Sequence, residues 1–98
     1  MEPIRVLIAD DHPQFRAGLR ALLASATDLE LAGEADNGER AITLATQLQP
    51  DVIVMDLQMP GVGGIEATRR ILHSSPHISV LVLSIIRARD AGLGRIVR

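Results

Sequence analysis

Apolar residues along this chain gather into short runs that alternate with stretches of helical spacing. The run Arg5-Val6-Leu7-Ile8-Ala9 ends in Asp10-Asp11. It is apolar at consecutive positions and rich in branched side chains, as a parallel strand covered on both faces requires. Asp11 or His12 then caps a helix with Pro13 in its first turn, where a missing N–H costs nothing. Phe15, Leu19, Leu22, Leu23 and Ala26 recur at the spacing of one helical face. Leu29 to Ala35 predicts a second strand, broken by Asn37-Gly38. Ala41, Leu44, Ala45 and Leu48 mark a second helix that Pro50 stops. Val52-Ile53-Val54-Met55 is a third strand ending in Asp56, and the loop Met59-Pro60-Gly61-Val62-Gly63-Gly64 follows. Ile65, Thr68, Ile71 and Leu72 predict a third helix, ended by Ser75-Pro76. Ser79-Val80-Leu81-Val82-Leu83-Ser84 predicts a fourth strand.

Strands and helices that alternate through short loops imply a parallel sheet with helices on both faces, an open doubly wound α/β fold. Ligands of such sheets bind beyond the carboxyl ends of the strands, near the switch in strand order. Those ends carry Asp10 and Asp11 after strand one, Asp56 after strand three, and Ser84 after strand four.

Composition narrows the picture. The chain has 98 residues, 47% apolar and 22% charged, which is the balance of one small globular domain and not of a disordered chain. Cysteine is absent, which removes disulfides, Cys-ligated zinc and thiol catalysis. No apolar run approaches the roughly 18 residues of a membrane span. The start, Met1-Glu2-Pro3-Ile4-Arg5, has no signal-peptide pattern, so a cytoplasmic location is expected. Net charge is −2, and all ten basic residues are Arg. A nucleic-acid-binding domain usually shows a basic excess, and Phe15 is the single aromatic available for base stacking, so no direct nucleic-acid contact is expected.

Carboxylates brought together at one sheet edge repel. Two charges about 4 Å apart interact by about 4 kcal/mol at an effective dielectric near 20. Such a cluster calls for a cation or for raised pKa values. Oxygen-only ligands, with no His or Cys at the strand ends, favour a hard ion, Mg²⁺ above all. An Asp held beside it has the chemistry of a nucleophile toward a phosphoryl donor. Ser84 is then placed to donate a hydrogen bond to phosphoryl oxygens. Each residue alone has a blander reading: Asp10-Asp11 as a helix cap, Asp56 as a turn residue, Ser84 as a structural hydroxyl. Their occurrence together at three strand ends is what favours a site. His12 reads as a first-turn or capping residue, His73 and His77 as solvated, and Arg69-Arg70 as a solvated helix face. Gly61, Gly63 and Gly64 follow strand three with no Lys behind them, so a P-loop is excluded. A glycine-rich dinucleotide fingerprint after strand one is also missing.

The stretches Arg5-Val-Leu-Ile-Ala-Asp-Asp-His-Pro13 and Asp51-Val-Ile-Val-Met-Asp-Leu-Gln-Met-Pro-Gly61, with Gly63-Gly64-Ile65-Glu66-Ala67, resemble the receiver domain of bacterial two-component response regulators. The Asp-Asp-His-Pro form and Gly33-Glu34-Ala35-Asp36-Asn37-Gly38 are most similar to the NarL/FixJ (LuxR-type) class. The resemblance spans about residues 4 to 84 and implies a flavodoxin-like (CheY-like) fold. It implies Asp56 as phosphoacceptor and Asp10, Asp11, Asp56 and the Gln58 backbone carbonyl around Mg²⁺. Ser84 is implied as the switch hydroxyl, with Pro60 and Gly61 shaping the loop. The implied donor is a sensor histidine kinase or a small phosphodonor. The domain itself is not expected to be an enzyme beyond assisting its own phosphorylation and dephosphorylation.

The chain departs from the family after Ser84. The family's fifth βα unit carries a Lys at the end of strand five and an aromatic, usually Tyr, on that strand. This chain has neither residue type. Residues 1–84 are therefore read as a receiver core and 85–98 as a divergent or truncated tail. In one reading Ile96-Val97 is a shortened strand five, and Arg98 stands near the Lys position. In the other the tail is unrelated sequence. An uncovered strand four, Val80-Leu81-Val82-Leu83, invites pairing with another chain, so a homodimer or swapped assembly through residues 80–98 is expected. The alternative to a phosphorylated switch is a receiver-like interaction module that is not phosphorylated. A weaker third reading, an aspartyl-phosphate hydrolase, would require an Asp-x-Asp motif after strand one, and here the acids are adjacent. A DNA-binding output domain, the usual companion in this class, is not part of these residues.

Overall fold

The computed structural model describes residues 2–88 and 93–97. The elements run β1 (Ile4–Ala9), α1 (Pro13–Ser25), β2 (Leu29–Ala35), α2 (Gly38–Leu48), β3 (Val52–Asp56), α3 (Gly64–Ser74), β4 (Ser79–Ala88) and β5 (Leu93–Val97). The strand order is β2-β1-β3-β4-β5. The first four strands pair in parallel. This is the expected CheY-like doubly wound sheet, with its order reversing between β1 and β3.

Local chemistry sets the boundaries. His12 takes the N-cap position of α1 in extended conformation, and Pro13 follows in the first turn. The Asn37 side chain caps α2 by accepting the Arg40 N–H at 2.8 Å. Gln49 ends that helix in the left-handed region at φ 47°, just before Pro50. In α3, Glu66 stands in the first turn, where its charge matches the sign of the helix dipole.

The core is one-sided. Leu7, Ala9, Ile53 and Met55 on one sheet face pack with Ala41, Leu44 and Ala45 of α2 and Ala67 and Ile71 of α3. Each large side chain fully buried there contributes about 1.5–3 kcal/mol. Strand alternation puts Val6, Ile8, Val54 and Leu81 on the opposite face, which α1 covers. That cover is partial. Ile8 in β1 is fully buried, Val54 in β3 is half-buried, and Leu81 in β4 is 54% exposed. No residue of α1 is itself buried, and its Leu22 is 67% exposed.

The carboxyl-terminal part corrects one reading of the sequence. β4 does not end at Ser84 but runs to Ala88. β5 then returns antiparallel, from Ser84 opposite Val97 to Ala88 opposite Leu93. Ile96-Val97 is therefore not a shortened parallel strand reached by a crossover. A connection this short closes a hairpin and is too brief for a βαβ unit, which needs a dozen or more residues. Because the β5 ladder begins at Ser84, it leaves the outer edge of Ser79–Leu83 without a strand among the described residues. Arg98 lies outside the described residues.

Candidate functional site

β1 and β3 are neighbours with Ala9 opposite Met55, so the residues that follow, Asp10 and Asp56, come to one edge of the sheet. Asp10 N–H extends the ladder to the Ala35 carbonyl at 2.9 Å, which holds the chain straight past the end of β1. Asp10 and Asp56 are 3% and 6% exposed, a degree of burial rare for carboxylates. Asp11 is half-buried beside them. One ligand atom each from Asp10, Asp11, His12 and Asp56 lies within 4.8 Å of all the others.

The two oxygens of Asp56 differ. Oδ1 accepts the Gln58 N–H at 3.2 Å. Oδ2 is buried and has no hydrogen-bond partner, and Asp11 Oδ1 is in the same condition. Leaving such acceptors unmet costs about 1–3 kcal/mol apiece. The Asp56 pKa is raised, chiefly by burial and then by the charges of Asp10 and Asp11; the Gln58 N–H and His12 oppose the rise. Buried, orphaned, hard oxygen donors that crowd one another fit a divalent cation.

His12 does more than occupy a cap. Its side chain makes no capping bond. Its backbone N–H donates to Asp10 Oδ1 at 2.7 Å, and Nδ1 lies 2.9 Å from the same oxygen. Nδ1 also lies 3.1 Å from Asp11 Oδ1 and 3.9 Å from Asp56 Oδ2. The sequence signal was the third member of Asp-Asp-His, which taken alone reads as the start of a helix.

Two supports escaped the sequence reading. Arg16 Nη1 donates to the Asp10 carbonyl at 2.8 Å, while its Nε bonds Glu34 Oε1 at 3.2 Å. Arg20, one turn on, binds the same Glu34 at 2.7 Å. The four-residue Arg spacing was a visible signal, but its acidic partner sits on β2 and only the fold brings them together. Glu39 of α2 accepts the Val62 N–H at 2.8 Å and so ties down the loop after β3. In that loop Gly61 has φ 72°, a conformation that favours glycine. Pro60, beside it, is exposed.

Of the expected site residues, the structure brings Asp10, Asp11 and Asp56 together and joins Gln58 to Asp56 through its N–H. Ser84 lies in β4 as the first residue beyond Leu83, where the parallel ladder with Asp56 ends.

Comparison with known proteins gives a consistent result. The family model described as response regulator receiver domain matches residues 6–93. Response regulator GacA of Pseudomonas aeruginosa is 48% identical over 82 residues, covering 84% of this chain and 38% of that protein. The nitrate/nitrite response regulator protein NarL of Escherichia coli K12 is 42% identical over 84 residues, covering 86% of this chain and 39% of that protein. The signal receiver domain of the NarL response regulator from Mycobacterium tuberculosis superposes with a TM-score of 0.79 at 35% identity, covering 86% of this chain and 68% of that one. The chain thus spans well under half the length of these curated relatives.

Proposed function

The chain belongs to the response regulator receiver domain family of two-component systems, and from that premise we propose that it accepts a phosphoryl group on Asp56. The observation that carries this reading is Asp56 Oδ2, a buried oxygen with no hydrogen-bond partner at the carboxyl edge of the sheet. In the transfer, an Asp56 carboxylate oxygen bonds to phosphorus. The bond from phosphorus to the donor breaks, and its electron pair leaves with the donor. Asp10, Asp11, Asp56 and the Gln58 carbonyl would hold Mg²⁺, which when bound supplies positive charge to offset that of the carboxylates and phosphoryl oxygens. The Gln58 N–H on Asp56 Oδ1 orients the carboxylate, and Arg16 on the Asp10 carbonyl fixes the end of β1. The Ser84 hydroxyl is assigned to a phosphoryl oxygen.

The donor is a sensor histidine kinase or a small phosphodonor, in the cytoplasm. The 1–84 segment acts as the receiver core and 85–98 as a divergent tail. These residues catalyse nothing beyond their own phosphorylation and dephosphorylation, and they do not touch nucleic acid directly, a task for a DNA-binding output domain outside them. Two copies associate through the open edge of Ser79–Leu83, where exposed Leu81 gives an apolar contact. Among the described residues no helix is long and apolar enough to cross a membrane.

A second reading, an interaction module that is not phosphorylated, is favoured by the antiparallel course of β5. Intact-mass spectrometry separates the two. The protein and Asp56→Asn are incubated with acetyl phosphate, with and without Mg²⁺. One phosphoryl group gained only with Mg²⁺ and lost in the variant supports the phosphoacceptor. No gain in folded protein supports the module.

A further inference from the structure

We propose that the His12 imidazole is a direct ligand in the cation site, so that the site is a mixed nitrogen–oxygen centre that prefers a later divalent transition ion such as Co²⁺ or Ni²⁺ over Mg²⁺. The inference rests on the cation site proposed above and adds a ligand to it.

The geometry carries the assignment. An octahedral ion with bonds of about 2.1 Å sets its ligand atoms about 3.0 Å apart along the edges and about 4.2 Å apart across the centre. His12 Nδ1 stands 2.9 Å from Asp10 Oδ1, 3.1 Å from Asp11 Oδ1 and 3.9 Å from Asp56 Oδ2. Two of these separations are edges and the third is close to a diagonal. Measured from His12 Nδ1, the three carboxylate oxygens stand at separations found between ligands of one ion, and one ligand atom from each of the four residues lies within 4.8 Å of the others.

The carboxylates supply an independent sign of a ligand. Asp56 is more than nine-tenths buried, and its Oδ2 reaches into the cluster with no hydrogen-bond partner. His12 is held in place as well. Its backbone N–H is anchored on Asp10, and Pro13 fixes the chain immediately after it. The ring is partly exposed, so an ion can enter past it.

Ligand chemistry then sets the preference. Carboxylate, carbonyl and water oxygens suit Mg²⁺, whereas imidazole favours the later divalent ions, whose affinity for nitrogen donors rises across the first transition row. Phosphoryl chemistry on Asp56 remains open to such an ion, because the same oxygens still hold it.

The test is metal binding to the 98-residue protein and to His12→Ala and His12→Asn; the second keeps a strong N-cap residue and so protects α1. Calorimetric titration reads Co²⁺ and Mg²⁺ affinities. Pulsed electron paramagnetic resonance on the Mn²⁺-loaded protein reads nitrogen coupling. The expected result is a Co²⁺ Kd raised on the order of tenfold or more in both variants, against a Mg²⁺ Kd changed by less than about twofold. Histidine nitrogen coupling to Mn²⁺ should be present in the parent and lost in the variants. Equal loss for both ions, tighter binding of both ions in the variants, or no nitrogen coupling in the parent overturns the proposal. If Mg²⁺-dependent phosphorylation is seen while nitrogen coupling is not, His12 is not a ligand and the phosphoacceptor reading stands. Coupling without phosphorylation leaves the mixed site standing and removes the phosphoacceptor. Binding of no divalent ion removes both the mixed site and the Mg²⁺ assignment.

Discussion

Gly64, the first residue of α3, lies directly on the backbone of Asp56: a methyl group at position 64 would overlap the Asp56 carbonyl oxygen. The helix that follows the β3 loop can therefore approach the sheet only because position 64 has no side chain. Gly64→Ala should destabilise the protein by about 1–3 kcal/mol, against the usual gain from replacing a helical glycine. Gly18 in α1 has nothing within 4 Å of an added methyl. Gly18→Ala should therefore stabilise by about 0.5–1 kcal/mol. Urea unfolding of the two variants checks the contrast, and equal effects would refute it.

Burial of ionised Asp56 makes stability depend on pH with a definite sign. Its folded pKa is raised above the ordinary 3.8, so the folded state binds that proton more tightly than the unfolded chain does. This group then favours folding most below pH 3.8, and its contribution falls as pH climbs from there through the raised folded value. Asp56→Asn should accordingly be more stable than the parent at pH 7 without divalent ions, by roughly 1 kcal/mol. The gap should close toward pH 4, and added Mg²⁺ should raise the melting temperature of the parent alone. Thermal melts across pH, with and without chelator, measure all of this.

Glu66 behaves oppositely. Hydrogen bonds from Arg69 and then Arg70 lower its pKa from 4.5 to about 2. Any stability it adds is present above pH 4.5 and lost as pH falls toward 2. Both partners are well exposed, so salt should screen the interaction. NMR titration of the Glu66 carboxyl should show a low midpoint that moves upward in about 1 M salt. A midpoint insensitive to salt would contradict this account.

Leu81 offers a test of self-association. It is exposed on β4 beside an edge that β5 does not cover. Leu81→Lys places a charge where natural edges carry one to block pairing. Sedimentation velocity should show a larger monomer fraction for the variant, with unchanged circular dichroism. An unchanged distribution would place the contact elsewhere.

The order of elements through β4, the helix start at Pro13, the break at Asn37-Gly38 and the carboxylates at the ends of β1 and β3 were legible in the sequence. Periodicity, caps and Pro/Gly punctuation act over a few residues, and strand ends in a parallel sheet share one edge. The sequence could not reveal that β4 passes Ser84 and folds back. Residues 85–88 and 93–97 have no decisive period of their own, and their direction depends on what a hairpin or a crossover leaves paired. Nor could it show how Gly64 meets Asp56, why Arg16 and Arg20 stand over Glu34, or which neighbours the His12 ring reaches. Those contacts join residues from separate elements, and their distances exist only once the sheet and helices have packed.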